Sequence, residues 1–176
     1  ASLMRWELAA NDAEWTVNYL NVTGDGTIYA SGTNTSQTVT IVTNSGGEYA
    51  MGQVLSAKAG EKWKRAAPGD VSLISVTDGG IIYGLGGDLK VYRMRAGSTV
   101  AWQFAAGRTL SFSADNNNNL FGGIEENDGN IYSAVPGGKW KRFPYDPLKP
   151  KLLTCEATWA GTYQLTYREG GYTIGL

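Results

Sequence analysis

Aromatic residues recur along this chain at intervals of about 40 residues, most of them close behind a turn rich in glycine or asparagine. Three series can be aligned: Tyr29, Tyr83, Phe121 and Tyr163; Tyr49, Tyr92, Tyr132 and Tyr172; Trp63, Trp102 and Trp140. A unit of this length built from short strands cannot bury its own apolar face, so it must stack against further copies. The recurrence therefore predicts an array of similar all-β units.

The segment 70–104 shows the content of one unit. Its strand-favouring runs VSLISV, IIYGL, LKVYRM and TVAWQF predict four β-strands. Between them lie Asp78-Gly79-Gly80 and Gly86-Gly87-Asp88, which supply the positive φ that tight hairpin turns need. Because no helical period interrupts the run, the four strands predict an antiparallel meander.

The tryptophan series has three members, and the last unit has no matching tryptophan near the carboxyl end of the sequence. A matching tryptophan occurs near the amino end instead. Residues 4–12, MRWELAAND, parallel residues 100–108, VAWQFAAGR, with Trp6 in the place of Trp102. We therefore predict a single domain over 1–176, a four-bladed β-propeller of four-stranded antiparallel blades, the last blade closed by the N-terminal strand. The predicted blades span about 15–68, 69–107, 108–149, and 150–176 together with 1–12.

Some alternatives to this scheme stay open. Residues 33–46 are an insertion in the first unit, whose TVTIVT core either extends the second strand or forms an extra strand. A β-trefoil would need three repeats, whereas the aromatic series indicate four. A β-sandwich would not require aromatic residues at a fixed phase. The propeller is the favoured fold.

Composition removes several functional classes. Histidine is absent, which excludes Ser-His and Cys-His nucleophile pairs and imidazole metal ligands. The single Cys155 cannot form an internal disulfide, and this fits a reducing compartment. The net charge of −1 offers no basic excess for nucleic acid, and no apolar run reaches membrane-spanning length. We expect no nucleic-acid partner, membrane insertion, metal or cofactor, and a cytoplasmic location rather than secretion.

The recurring tryptophans are predicted to be structural. A large flat side chain at one fixed place fills the wedge between neighbouring blades. The sequence Lys-Trp-Lys-Arg occurs at 62–65 and again at 139–142. On an outer strand, alternation points the Trp to one face and its Lys neighbours to the other, where their charges protect a solvated sheet edge against aggregation.

The turns that follow the first strands are the predicted binding site. They would emerge together at one end of the ring, and loops on a rigid scaffold are the usual place for binding. Their carboxylates, amides and aromatic rings suit the hydroxyls and C–H face of a sugar, although turn chemistry alone also explains Asp, Asn and Gly there. One site per blade would make binding multivalent. The candidate ligand-binding residues are Asp25, Tyr29, Asp78, Tyr83, Asp115, Asn117, Asn119, Trp159 and Tyr163.

The run SLISVTDGGIIYGLGGDLKVYRM at 72–94 resembles a blade of the tectonin and tachylectin-2 type of β-propeller lectins. Those modules combine a strand, an Asp-Gly or Asn-Gly turn, an aromatic second strand and an x-Ile/Val-Tyr-Arg/Lys third strand. The resemblance is clear over 70–95 and fair over 15–32 and 109–143. It implies a non-catalytic defence lectin that binds glycans or glycoproteins, with N-acetylglucosamine or methylated sugars as ligands. Those rings have five or six blades, and homo-oligomer formation is left open.

Two other function classes compete with the lectin. A glycosidase without histidine would need two carboxylates across a cleft; the available ones are Asp115, Glu125, Glu126, Asp128 and Glu156. Because residues 125–128 are more simply a hairpin loop, we expect no catalysis. A haemopexin-like structural or protein-interaction propeller is the main alternative, although one cysteine cannot supply the disulfide that usually closes such domains.

Overall fold

The structure is a computed structural model that describes residues 15–34, 39–42, 48–124, 130–143, 155–157 and 163–165. Throughout these residues the regular structure is β-strand, and the strands pair antiparallel. The prediction of an all-β fold is therefore confirmed. The chain divides into two compact units, Ala1–Arg142 and Phe143–Leu176.

The first unit holds three sheets that follow one another along the chain. The first sheet contains β1 (Trp15–Val22), β2 (Ile28–Asn34), β3 (Val39–Val42), β4 (Glu48–Ala57) and β5 (Lys64–Val71). The second contains β6 (Ile74–Val76), β7 (Ile81–Leu85), β8 (Lys90–Arg95) and β9 (Gln103–Arg108). The third contains β10 (Ser111–Ala114), β11 (Leu120–Gly123), β12 (Tyr132–Ala134) and β13 (Lys141–Arg142). The second unit has the hairpin of β14 (Cys155–Ala157) and β15 (Tyr163–Leu165).

The second sheet is the predicted four-stranded meander with one strand displaced. β7 coincides with IIYGL, and β8 overlaps LKVYRM. The sequence predicts the fourth strand over TVAWQF, at 99–104, but β9 begins only at Gln103. The reason is a turn after β8, in which the Ser98 N–H donates to the Arg95 carbonyl, so that pairing with β8 resumes at Gln103. The recurring Trp102 therefore lies directly before the strand.

The border between the first two sheets also differs from the prediction. The run VSLISV would start the first strand at Val71, whereas β6 begins at Ile74. Val71 instead ends β5 and pairs with Gly52 of β4. The first sheet therefore continues past the predicted limit at residue 68.

The insertion in the first unit forms an added hairpin. β3 pairs with the first half of β4, while the second half of β4 pairs with β2 and β5. The TVTIVT core is therefore an extra strand, one of the two predicted alternatives. The hairpin also corrects one aromatic series. Tyr92 pairs with Gly84 of β7, and the matching residue of the first sheet is Leu55, which pairs with Ala30; Tyr49 belongs to the added hairpin.

Two tryptophans join neighbouring sheets in the same way. Trp102 and Trp140 lie directly before β9 and β13, and each indole N–H donates to a carbonyl of the preceding sheet. Trp102 donates to Pro68 (2.6 Å) and Trp140 donates to Gly107 (3.0 Å). Each indole also packs against the apolar cluster between the two sheets that it joins. These contacts confirm the predicted wedge role of both residues.

The core consists of two apolar clusters, one on each side of the second sheet. The cluster shared with the first sheet contains Tyr29, Val54, Ala66, Ala67, Val71, Ile74, Val76, Ile82 and Met94. The cluster shared with the third sheet contains Tyr83, Leu85, Leu89, Val91, Ala105, Ala106, Leu120 and Ala134. Both faces of the second sheet thus contribute side chains to the core, as stacked units require.

Backbone hydrogen bonds repeat between the sheets as well. The Gly97 N–H donates to the Ala66 carbonyl (3.1 Å), and the Gly137 N–H donates to the Ala105 carbonyl (2.7 Å). Both donors lie in the turn before an outer strand, and both acceptors open an Ala-Ala pair in the outer strand of the preceding sheet. The three sheets of the first unit are therefore joined through one repeated interface.

Gly84 is required by the close approach of the indole wedge. A Cβ atom at this position would lie 2.5 Å from Val71 Cγ1 and 3.2 Å from Trp102 Cη2. Gly122 stands under Trp140 in the same way, with 3.2 Å to its Cη2. The residue beneath the ring must therefore lack a side chain.

We predict that Gly84→Ala lowers the free energy of unfolding by about 1–3 kcal/mol, because the added methyl group forces buried side chains to move. Gly79→Ala is the matched control, since a Cβ there meets only Thr77 Oγ1 at 3.7 Å. Urea denaturation of both variants measures the difference. Equal stability of the two variants would contradict the close approach.

Candidate functional site

Three turns with the same hydrogen bonding connect the first two strands of each sheet in the first unit. They span 23–27, 77–81 and 115–119, and in each the fourth residue donates its N–H to the carbonyl of the first. That fourth residue has a positive φ: 78° at Gly26, 73° at Gly80 and 66° at Asn118. Asparagine is among the few non-glycine residues that adopt this conformation readily. The predicted binding turns are thus copies of one structure.

Asp78 fastens the three turns to one another. Its Oδ1 accepts the N–H of Gly24 in the first turn (2.6 Å), and its Oδ2 accepts the side-chain amide of Asn116 in the third (2.6 Å). The Asp78 N–H donates to Asn116 Oδ1 (2.9 Å). Both carboxylate oxygens are therefore engaged in charge-assisted hydrogen bonds that hold the turns in place.

Asp25 stabilises its own turn. Its Oδ1 accepts hydrogen bonds from the Thr23 hydroxyl (2.7 Å) and the Thr27 N–H (3.0 Å), and its Oδ2 accepts one from the Thr27 hydroxyl (2.9 Å). These hydrogen bonds, with a smaller contribution from the Lys58 charge, lower the pKa of Asp25 from 3.8 to about 2. The exposed Lys58 ammonium lies 3.7 Å from the carboxylate.

Asp115 plays the same part in the third turn. It accepts the side-chain amide of Asn119 (2.8 Å) and the backbone N–H groups of Asn119 (2.7 Å) and Asn117 (2.9 Å). The hydrogen bond from the Asn119 amide is the main reason why the pKa of Asp115 is lowered. The Asn117 residue is exposed. Three of the predicted sugar ligands are thus combined in one turn-stabilising cluster.

The two described tyrosines of the predicted site are largely enclosed. Tyr29 is 8 % exposed and Tyr83 is 0 % exposed. The Tyr83 hydroxyl donates to Asn118 Oδ1 of the third turn (3.1 Å), and Tyr83 pairs with Arg93 across β7 and β8. Burial raises the pKa of Tyr83, although the nearby Arg93 guanidinium acts to lower it. In this arrangement Tyr83 offers no surface to a ligand and instead lies beside Arg93.

Two predicted residues belong to the second unit. Trp159 lies outside the described residues. Tyr163 is the first residue of β15 and pairs with Ala157 of β14. The prediction that these two residues bind a sugar stays a prediction.

A pocket of about 340 Å³ lies in the second sheet, at the same end as the Asp78 turn. Its lining combines polar groups with an apolar surface, and consists of Ile81, Arg93, Met94, Arg95, Ser98, Val100, Ala101 and Gln103. Ile81 is the last residue of the Asp78 turn, and Arg95 and Ser98 bound the turn between β8 and β9. The residues around the pocket include two arginines, one glutamine and one serine beside aliphatic residues.

The sequence contains a signal for this pocket that the turn-based prediction does not use. Arg93 and Arg95 alternate with Met94 along β8, and Gln103 of β9 pairs with Arg93. Alternation puts Arg93 and Arg95 on one face and the buried Met94 on the other. Two arginines on one strand face with a glutamine paired beside them indicate a polar binding site. The sequence shows this grouping only when β9 is taken to begin at Gln103.

The described part of the chain has no membrane-spanning helix. Within the same residues, no three acidic or cysteine side chains are grouped in a way that could hold a metal ion. The exposed Lys64, Arg65, Lys141 and Arg142 of the two Lys-Trp-Lys-Arg runs lie on the outer strands β5 and β13, as predicted.

No protein-family model matches this sequence, and no curated protein is significantly similar to it. The resemblance to tectonin-type blades therefore stays a prediction that depends on the motifs quoted above.

We predict that the stability of the first turn is lost in acid. The folded-state pKa of Asp25 is about 2, below its ordinary value of 3.8, so this carboxylate stabilises the fold above about pH 4 and ceases to do so as the pH falls towards 2. Asp25→Asn keeps the shape of the side chain without the titration. The melting temperature of the variant should fall less between pH 5 and pH 2 than that of the parent. Parallel curves would contradict the assignment.

Proposed function

We propose that this protein is a non-catalytic carbohydrate-binding protein whose recognition site is the pocket of the second sheet. The observation that carries the proposal is the lining: Arg93, Arg95, Gln103 and Ser98 lie around one pocket together with aliphatic residues. Planar guanidinium and amide groups can each engage two adjacent oxygens, and the aliphatic surface can contact a sugar C–H face. Pockets of this mixed character are the usual sites for small polar ligands.

The turn carboxylates have a supporting role in this proposal. Asp78, Asp25 and Asp115 hold the turns through the hydrogen bonds described above. A rigid turn keeps Ile81 and the start of β7 in place beside the pocket. We therefore assign the turns to the scaffold and the β8–β9 segment to ligand contact.

We also propose that the units form a four-bladed propeller in which residues 4–12 close the last blade. The support is the sequence of this segment, in which Trp6 and Ala9-Ala10 stand at the spacing of Trp102 and Ala105-Ala106. In the first two sheets the Ala-Ala pair accepts a backbone hydrogen bond from the next sheet, at Ala66 and Ala105. In the proposed ring, Ala9-Ala10 would accept the corresponding backbone hydrogen bond from the first blade, so that no sheet edge is left free.

Ring closure predicts a large cost for Trp6→Ala. We expect the free energy of unfolding to fall by about 3–5 kcal/mol, the usual cost of truncating a buried tryptophan, and by a similar amount in Trp102→Ala. Deletion of residues 1–12 should also lower the urea midpoint. A deletion variant that unfolds like the parent would contradict closure by this strand.

Carbohydrate binding is tested on a glycan array with the intact protein. Arg93→Ala and Gln103→Ala should each weaken binding about tenfold or more, because each removes a hydrogen-bonding group from the pocket. Arg108→Ala is the matched control, since Arg108 is exposed at the opposite end of β9 from Gln103. Thermal melting shows whether each variant is folded. Unchanged binding by folded Arg93→Ala and Gln103→Ala would exclude this pocket as the site.

The second candidate function is a haemopexin-like module that binds a protein. The exposed Val100 side chain beside the pocket and the exposed Phe104 of β9 favour it, because apolar residues on an outer strand can contact a partner. Absence of binding to a diverse glycan array by the folded protein, together with recovery of a protein partner in a pull-down, would support this module and overturn the lectin.

A further inference from the structure

We infer that the pocket of the second sheet recognises sugars that carry an anionic group, a carboxylate or a sulfate. This inference rests on the proposed carbohydrate binding and specifies its ligand class. It is carried by the pairing of two arginines in one pocket whose lining contains no carboxylate. The shared chemistry is an oxyanion on a polyhydroxylated ring.

The two arginines are placed to act on one ligand. Arg93 and Arg95 are separated by one residue on β8 and therefore lie on the same face, with Cα atoms about 6.6 Å apart. Side chains this close can converge on a single oxyanion, and guanidinium groups match the two oxygens of a carboxylate or sulfate. Two like charges side by side repel each other, so an anion between them is favoured.

No acidic side chain on the described part of the chain is seen to neutralise this pair. The three ion pairs found there all use lysine: Lys58 with Asp25, Lys64 with Glu61 and Lys90 with Asp88. Asp78 and Asp88, the described carboxylates nearest in sequence, form hydrogen bonds within or between turns. Asp115, whose charge acts on the Tyr83 hydroxyl beside Arg93, accepts hydrogen bonds from Asn117 and Asn119. The positive charge of the pocket is therefore available to a ligand.

Arg93 lies beside a fixed ring. It pairs with Tyr83 across β7 and β8, and the buried Tyr83 donates its hydroxyl to Asn118 (3.1 Å). Arg93 is itself half-buried, so its side chain has less conformational entropy to lose on binding than a fully exposed arginine. Arg95 is exposed and supplies the second charge.

The rest of the lining indicates a sugar rather than an isolated inorganic anion. Ile81, Val100 and Ala101 provide an aliphatic surface that a bare sulfate would not use, and Gln103 and Ser98 can contact hydroxyl groups. A volume of about 340 Å³ is at the small end of ligand pockets and suits one or two sugar rings.

The arginine pair is particular to the second sheet. By strand register, the position of Arg93, opposite Tyr83, is taken by Ser56 opposite Tyr29 in the first sheet. In the third sheet it is taken by Ser133 opposite Phe121. Two residues further along, the position of Arg95 is taken by Lys58 in the first sheet, which pairs with Asp25 (3.7 Å), and by Val135 in the third. Among the three described sheets the second alone carries two arginines at these positions, so we assign the anionic-sugar site to it.

The experiment compares matched glycans that differ only in charge: a glucose-terminated and a glucuronate-terminated oligosaccharide, and a galactose-terminated oligosaccharide with and without a sulfate. Isothermal titration calorimetry with the full chain should give about tenfold tighter binding to the charged member of at least one pair. The advantage should shrink as salt rises from about 0.05 to 0.5 M, because ions screen exposed charges. The two pairs show whether carboxylate or sulfate is the preferred anion.

Variants decide whether the arginine pair is responsible. Arg95→Gln keeps a polar side chain without the charge and should reduce the charged-over-neutral ratio about tenfold, whereas Arg108→Gln should leave that ratio unchanged. Equal binding of neutral and charged members by the parent would overturn this inference and leave carbohydrate binding in place. An unchanged ratio in Arg95→Gln would overturn it as well. Failure of every glycan to bind the folded protein would overturn the proposed function itself.

Discussion

An indole ring packed over a glycine holds the second and third sheets of the first unit each to the sheet before it. Trp102 covers Gly84 and donates its N–H to the preceding sheet, and Trp140 repeats the arrangement over Gly122. Burying one such ring contributes about 4–6 kcal/mol before the loss of side-chain entropy. The contact satisfies the polar N–H at the same time, so no buried donor opposes it. These demands explain why tryptophan and glycine recur while the residues around them vary.

The repeated interface also decides where variation can carry function. The turns are joined by the Asp78 carboxylate and by internal bonds to Asp25 and Asp115, so most of their polar groups are already engaged. Along β8 the second sheet carries Arg93 and Arg95, where the first and third sheets carry other residues. In the proposed function, scaffold and ligand chemistry are therefore divided between the turns and the β8–β9 segment.

The sequence was most informative where local chemistry and tertiary contacts agree. The IIYGL strand and its Asp78-Gly79-Gly80 turn are predictable because alternation and positive φ specify them locally. The displaced β9 is not, because its start depends on where pairing with β8 resumes after a turn. Tyr49 fits the spacing of its aromatic series by coincidence. It lies in the added hairpin of β3 and β4, whereas the residue that matches Tyr92 by register is Leu55. The sequence-based prediction chose the turns and not the pocket, because carboxylates and amides that bind one another have the same composition as a sugar-binding site.

Asn118 connects a turn of the third sheet with the proposed binding site of the second. It adopts a positive φ where the matching turns use glycine, and its side-chain oxygen accepts a hydrogen bond from the Tyr83 hydroxyl. Because Tyr83 pairs with Arg93, a residue of the third sheet fixes the ring beside Arg93, although the residues around the pocket all belong to the second sheet. A single excised unit would retain every lining residue and still lack this support. The proposed recognition would therefore be a property of assembled neighbours, which duplication of one unit alone would not create.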